Sequence, residues 1–329
     1  MEMQQPQEER RAIRTLNRRE FVQVLGAATV RGGLIAAAFK GFHLTPAQKV
    51  EAAEAINDQL GKLPRRQLGT RMGKMEITPI VISQDWSRDL YGPALDLGIN
   101  FVHKAGYWRS MPEEFKKLPR ESYYTDITVD STPNNPDDEE KAYNQVTESL
   151  KNNGLGYYDI FRAHFGWKSV EAMKQKRGTH RAFDRLKKEG KVKYFGVSQH
   201  DFVPYPEIIG AIIDEGLIDS IQLFYSYKAD PQLNEIYEKA HKAGIGMTAM
   251  KVCARNYGKM NGDTARQEEL KASGKVGRAL FRHVLTQQGA DGHRIFDACV
   301  ARLGNFEMFE ENVGAAASKA AAADGFKLA

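Results

Sequence analysis

Cysteine is nearly missing from this chain of 329 residues: there are two, Cys253 and Cys299, far apart and in no metal-binding or redox spacing. That excludes a disulfide framework as the organising device, and free buried thiols are the simpler reading. Charge of one sign is also lacking. The formal net charge is +5, and the first 42 residues, with seven Lys/Arg against four Glu, supply +3 of it. The remaining body carries only +2, which argues against a dedicated nucleic-acid binder. No apolar run is clean enough to span a membrane stably, since Gln23 and Arg31 interrupt the weakly hydrophobic stretch from Phe21 to Phe39. A Gly-rich dinucleotide loop after the first strand is missing too, which counts against a doubly wound sheet. The turn Pro133-Asn134-Asn135-Pro136-Asp137-Asp138 lacks the alternating ligands of a calcium loop.

What is present begins with Asn17-Arg18-Arg19-Glu20-Phe21-Val22, paired arginines ahead of that moderately hydrophobic, Ala- and Gly-rich run. The arrangement resembles a twin-arginine export signal, an address read by a receptor, with Ala36-Ala37-Ala38 as small residues for cleavage. Residues 1–42 are expected to be this signal segment and the export machinery a partner. The protein is then exported or periplasmic, tethered to the membrane if the segment stays uncleaved. The plainer alternative is a basic amphipathic helix. Thr45 as N-cap and Pro46 at the first helical position predict a helix that Gly61 ends, so residues 43–62 read as a linker helix.

From Leu63 onward, strand-like and helix-like segments alternate. The strand candidates are Ile77–Ser83, Asn100–His103, Tyr123–Val129, Tyr157–Phe161, Tyr194–Ser198, Ile218–Phe224, Gly246–Val252 and Phe296–Ala301. Helical patterns lie between them, as where Ala142, Val146 and Leu150 share one face. Eight strands alternating with helices predict an α/β fold, a (β/α)8 TIM barrel, over residues 63–329. His164 follows the fourth strand, on the face where such barrels carry their chemistry.

Several segments together resemble the aldo-keto reductases. They include Arg66-Gln67-Leu68-Gly69 before the first strand, Leu97-Gly98-Ile99-Asn100-Phe101, and Gly156-Tyr157-Tyr158-Asp159-Ile160 with His164. Gly196-Val197-Ser198, Ile221-Gln222 with Tyr225-Ser226, Ala243-Gly244-Ile245-Gly246-Met247 and Glu310-Glu311-Asn312 continue the series in order. The resemblance implies hydride transfer between a nicotinamide cofactor and a carbonyl or alcohol. In that family a Tyr protonates the alkoxide, a Lys–Asp pair lowers its pKa and a His orients the carbonyl. The tetrad is altered here. The family's Asp-Thr-Ala stands as His103-Lys104-Ala105, and Trp108, preceded by Tyr107, occupies the place of the Tyr. Thr125 to Thr128 stand where Thr-Lys is expected, and only His164 keeps its register.

Three readings follow. Tyr107 or His103 donates the proton, tuned by Lys104 or His164, and the chain is an oxidoreductase; or the barrel binds a cofactor or ligand without turnover; or it serves as a structural subunit. The resemblance further implies NADP(H), with NAD(H) as the other choice. Ser198, Gln199 and Gln222 fall at the nicotinamide carboxamide, and Tyr225 near the ring, where ordinary barrel packing is the alternative. Lys251 falls at the pyrophosphate, Arg302 at a ribose 2′-phosphate, and Glu311 and Asn312 at the adenine. The loop from Asn256 to Ser273 is the candidate lid. Trp86, Trp108, Phe165 and Trp167 follow strands and predict an aromatic pocket for a small carbonyl or quinone-like substrate. No metal site is expected, because His103 and His164 lack a third ligand.

Overall fold

The computed structural model describes residues 30–40, 43–83, 88–131, 138–165, 167, 169–175, 177–199, 205–226, 232–253 and 275–324. The paired arginines, Trp86 and the candidate lid lie outside the described residues, as do the side chains of Phe165 and Gln199. The chain divides into Met1–Gln59 and Leu60–Ala329. In the first unit, Val30–Phe39 and the helix opening at Pro46 are helical. The expected cap forms there as a reciprocal pair. Gln48 N donates to Thr45 Oγ1 at 3.3 Å, and Thr45 N donates to Gln48 Oε1 at 2.9 Å. Among the described residues no helix is long and apolar enough to cross a membrane.

The second unit is a closed barrel of eight parallel strands. A hairpin of two short antiparallel strands, β1 (Arg66–Gln67) and β2 (Glu76–Ile77), precedes them. The barrel strands are β3 (Ile80–Ser83), β4 (Phe101–Gly106), β5 (Tyr124–Ser131), β6 (Tyr158–Phe165), β7 (Val192–Gln199), β8 (Ser220–Phe224), β9 (Gly246–Met250) and β10 (Ala298–Ala301). They pair in sequence order, and β10 closes on β3. Each strand shifts at one or both ends from its expected bounds, and two of the shifts have a direct bearing on the site or a clear cause. The segment from Ile77 to Ser83 splits at Pro79, which has no N–H to give a ladder. β6 runs four residues beyond Phe161, so His164 lies within the strand.

Local signals explain the connecting helices. Asp138 caps Glu139–Asn153 by accepting from Lys141 N at 2.8 Å, and Gly154 ends it in the left-handed region at φ 63°. The hairpin closes the N-terminal end of the barrel. Leu68, Met72, Met75 and Ile77 join Val81, Phe101, Ile160 and Ala298 in one buried apolar cluster. Gly69 sits in the left-handed region at φ 59°, and a Cβ there would stand 2.3 Å from Gly246 N. Gly69→Ala therefore meets both a backbone clash and a conformational cost. It should lower stability by more than about 1 kcal/mol, read from the urea midpoint.

Candidate active site

Alternation along the strands turns every second side chain inward. Above the apolar floor, the inward positions become polar. Asp126 on β5 is fully buried, and its carboxylate collects three donors. His103 Nδ1 on β4 lies 2.8 Å from Oδ2 and 3.0 Å from Oδ1. Arg162 Nε on β6 donates at 2.7 Å, and Lys104 N at 3.0 Å. Arg162, also fully buried, reaches past Gly196 on β7 to donate from Nη1 to Ser220 Oγ at 3.0 Å; its Nη2 has no hydrogen-bond partner. Burial pushes the Asp126 carboxyl upward, but His103 and Arg162 outweigh it and hold the group at about 2.

The other ring nitrogen of His103 faces Gln222 on β8, with Nε2 3.1 Å from Gln222 Nε2. An amide N–H there requires an acceptor, so this arrangement places the imidazole proton on Nδ1, toward Asp126. Gln222 is itself oriented, its Oε1 accepting from Thr248 Oγ1 on β9 at 3.3 Å. Beside this chain, His164 Nδ1 lies 3.4 Å from Ser198 Oγ, and Ser198 is the register neighbour of Gln222. Thr128, the next inward position on β5, has a buried Oγ1 with no hydrogen-bond partner. His103, His164, Ser198 and Gln222 therefore converge at the C-terminal end of the strands.

Other predicted residues are placed differently. Lys104 is the neighbour of His103 and points to the opposite face of β4. Its Nζ donates to Gly106 O at 3.0 Å and Tyr107 O at 3.3 Å and lies 5.6 Å from the Tyr158 ring. Burial pushes this amine down to about 8. The expectation that it tunes a proton donor in the mouth is corrected. Instead it fastens the bulge after His103, where the register shifts and Ala105 takes a left-handed φ of 61°. Tyr225 does not face the mouth either. Its ring is 4.5 Å from Phe296 and 5.4 Å from Tyr237, inside a core cluster. Trp167 lines a small hollow between the outer face of β7 and the helices Val170–Gln175, Gly178–Lys188 and Tyr205–Asp214. Trp108 is exposed after β4, edge-on to Tyr107 at 5.0 Å.

On the cofactor side, Glu311 Oε2 accepts from Gly277 N at 2.6 Å, the start of the helix Val276–Leu285. Asn312 Nδ2 donates to Arg302 O at 3.2 Å. Together they tie the helix Phe306–Gly314 to the segments around it, while the Arg302 side chain stays exposed. Lys251 follows β9 in the left-handed region at φ 54°.

A family model described as the aldo/keto reductase family matches residues 72–281. The chain belongs to that family. Solved aldo-keto reductases share its fold. One from Bacillus halodurans is 20% identical in its apo form, covering 81% of this chain and 97% of that one with a TM-score of 0.58. Its holo form gives 19% and 0.59 over the same shares. An aldo-keto reductase enzyme from a Medee basin deep-sea metagenome library is 18% identical, covering 75% of this chain and 87% of that one, with a TM-score of 0.52. No curated protein matches the sequence significantly. Within this aldo/keto reductase, sequence reasoning missed Asp126, Arg162 and Thr248. The signal for the first two was an acid and a base in the middle of strands, beside apolar residues, where burial demands a partner.

Proposed function

We propose that this aldo/keto reductase is a nicotinamide-dependent oxidoreductase for a small carbonyl or quinone-like compound, with His103 replacing a tyrosine as the proton-holding residue. The supporting observation is the chain Asp126–His103–Gln222, which fixes both ring nitrogens of one half-buried imidazole. Asp126 accepts from Nδ1 and stabilises the ring when it carries a second proton. Nε2 is then the atom that gives or takes a proton at the mouth. Gln222 accommodates either state, since turning its amide over presents an oxygen acceptor where the nitrogen donor stood. His164, beside Ser198, is placed to orient a carbonyl oxygen.

The donor set fits a dinucleotide. Ser198 and Gln222 offer a hydroxyl and an amide side by side, Lys251 and Arg302 offer cations, and Glu311 and Asn312 lie on a helix already fixed. The planar fork of exposed Arg302 suits a ribose 2′-phosphate, which favours NADP(H) over NAD(H). When bound, the nicotinamide supplies or accepts hydride. We further propose that residues 1–42 act as a twin-arginine address, which would carry a folded, cofactor-loaded protein out of the cytoplasm.

Titration of the purified full chain with NADPH and NADH, followed by nicotinamide fluorescence, is the test. Binding stronger for NADPH, with turnover of quinones or aryl aldehydes, is expected. Absence of binding overturns the cofactor reading. Binding without turnover on any carbonyl would favour a ligand-binding barrel instead.

A further inference from the structure

At the opposite end of the barrel, near the N-terminal ends of β9 and β10, two histidines and two carboxylates meet that the proposed reaction does not use. His241 and Glu238 lie on the helix Gln232–Lys242. Asp291 and His293 lie on a tight loop closed by the Gln288–Arg294 bridge. The loop is built to present them. Gly289 N donates to His293 O at 2.9 Å, Ile295 N to Gln287 O at 3.0 Å, and Gly292 turns the chain at φ 80°. Glu238 reaches into it and accepts from Ala290 N at 2.8 Å.

The imidazoles of His241 and His293 stack nearly parallel, with centroids 3.4 Å apart and planes inclined by 11°. Asp291 contacts His293 Nδ1, and Glu238 Oε2 stands 3.7 Å from His293 Nε2, which is buried without a hydrogen-bond partner. One ligand atom each from His241, Asp291 and His293 lies within 4.8 Å of the others. A close approach that only glycine permits completes the arrangement. A Cβ at position 289 would stand 2.1 Å from Glu238 Oε1 and 2.2 Å from His293 Cε1.

We infer that His241, Asp291 and His293, with Glu238 as the fourth group in reach, form a binding site for one divalent transition-metal ion of the zinc type. Two imidazoles with carboxylates suit such an ion better than magnesium or calcium, which prefer oxygen alone. Its place at the N-terminal face, away from His103, makes it a structural clip between the helix Gln232–Lys242 and the segment entering β10.

The test uses the full chain stripped with a chelator and titrated with Zn²⁺ by calorimetry, with melting followed in parallel. One ion per chain should bind and raise the melting temperature. His241→Ala and His293→Ala should each weaken binding by more than the roughly 10–100-fold that a supporting residue costs. Gly289→Ala should weaken it too, by displacing Glu238 and His293 while deleting none of the four side chains. Circular dichroism of each metal-free variant separates a lost site from a lost fold. No binding, or a stoichiometry and affinity unchanged in the His241→Ala/His293→Ala double variant, overturns the assignment, the latter marking adventitious zinc elsewhere.

Discussion

Asp126→Asn is expected to remove about 3–5 kcal/mol of folding stability, the cost of leaving a buried charge without its partner. Arg162 is the group stranded. It is fully buried, pairs with the Asp126 carboxylate at 2.7 Å, the one carboxylate it meets among the described residues, and already has one nitrogen unsatisfied. Urea unfolding measures the loss, and the double variant Asp126→Asn/Arg162→Met should recover much of it, since neither charge then remains. A single-variant cost below about 1 kcal/mol would contradict the account. The same group fixes the acid limb of the stability curve. Its carboxyl lies at about 2 in the fold against an ordinary 3.8, so the unfolded chain binds more protons between those values. The contribution is complete above the ordinary value and is lost as pH falls from there toward 2, a difference of about 2 kcal/mol. The Asp126→Asn variant should lack that slope.

The second large effect is kinetic. His103→Gln keeps a polar side chain beside Gln222 but cannot hold an exchangeable charge, and should lower kcat by about 10²–10⁴-fold. Under the proposed reading, which puts the cofactor against residues of β7 onward, NADPH affinity should hardly move. The variant should also lose whatever pH dependence of kcat/KM the parent shows. An active variant with the parent's pH profile would transfer the proton role to Tyr107 or His164. Steady-state kinetics across pH, with cofactor affinity measured separately, distinguish these outcomes.

How much of this was legible in the sequence varies with the range of the interaction. Strand positions were readable because apolar runs, glycines and helix caps act over a few residues. All eight barrel strands overlap the segments those signals mark, with ends shifted by one to four residues, most at Ile80–Ser83, Phe101–Gly106 and Tyr158–Phe165. The strand ends carrying His103 and His164 were found for the same reason. The partnership of Asp126 with His103 and Arg162 was not, because it depends on which strands become neighbours and at what height.

One misplacement was avoidable. His103 and Lys104 are consecutive on a strand, so alternation alone forbids both from entering the mouth. Tyr225 could not have been placed this way. Its burial is decided by Tyr237 and Phe296, twelve and seventy-one residues away in the chain.

The apolar floor beneath Asp126 has a further consequence. The polar steps from the carboxylate run through Arg162 to Ser220, below which Leu68, Met72, Phe101 and Ile160 form an apolar plug, and the barrel behaves as a cul-de-sac for protons. Any proton that His103 exchanges with bulk water must use the same opening as the substrate. A ligand filling that opening would isolate the imidazole from solvent until it departs, so the ring must start each cycle already carrying the proton it will give, and is reset only after release.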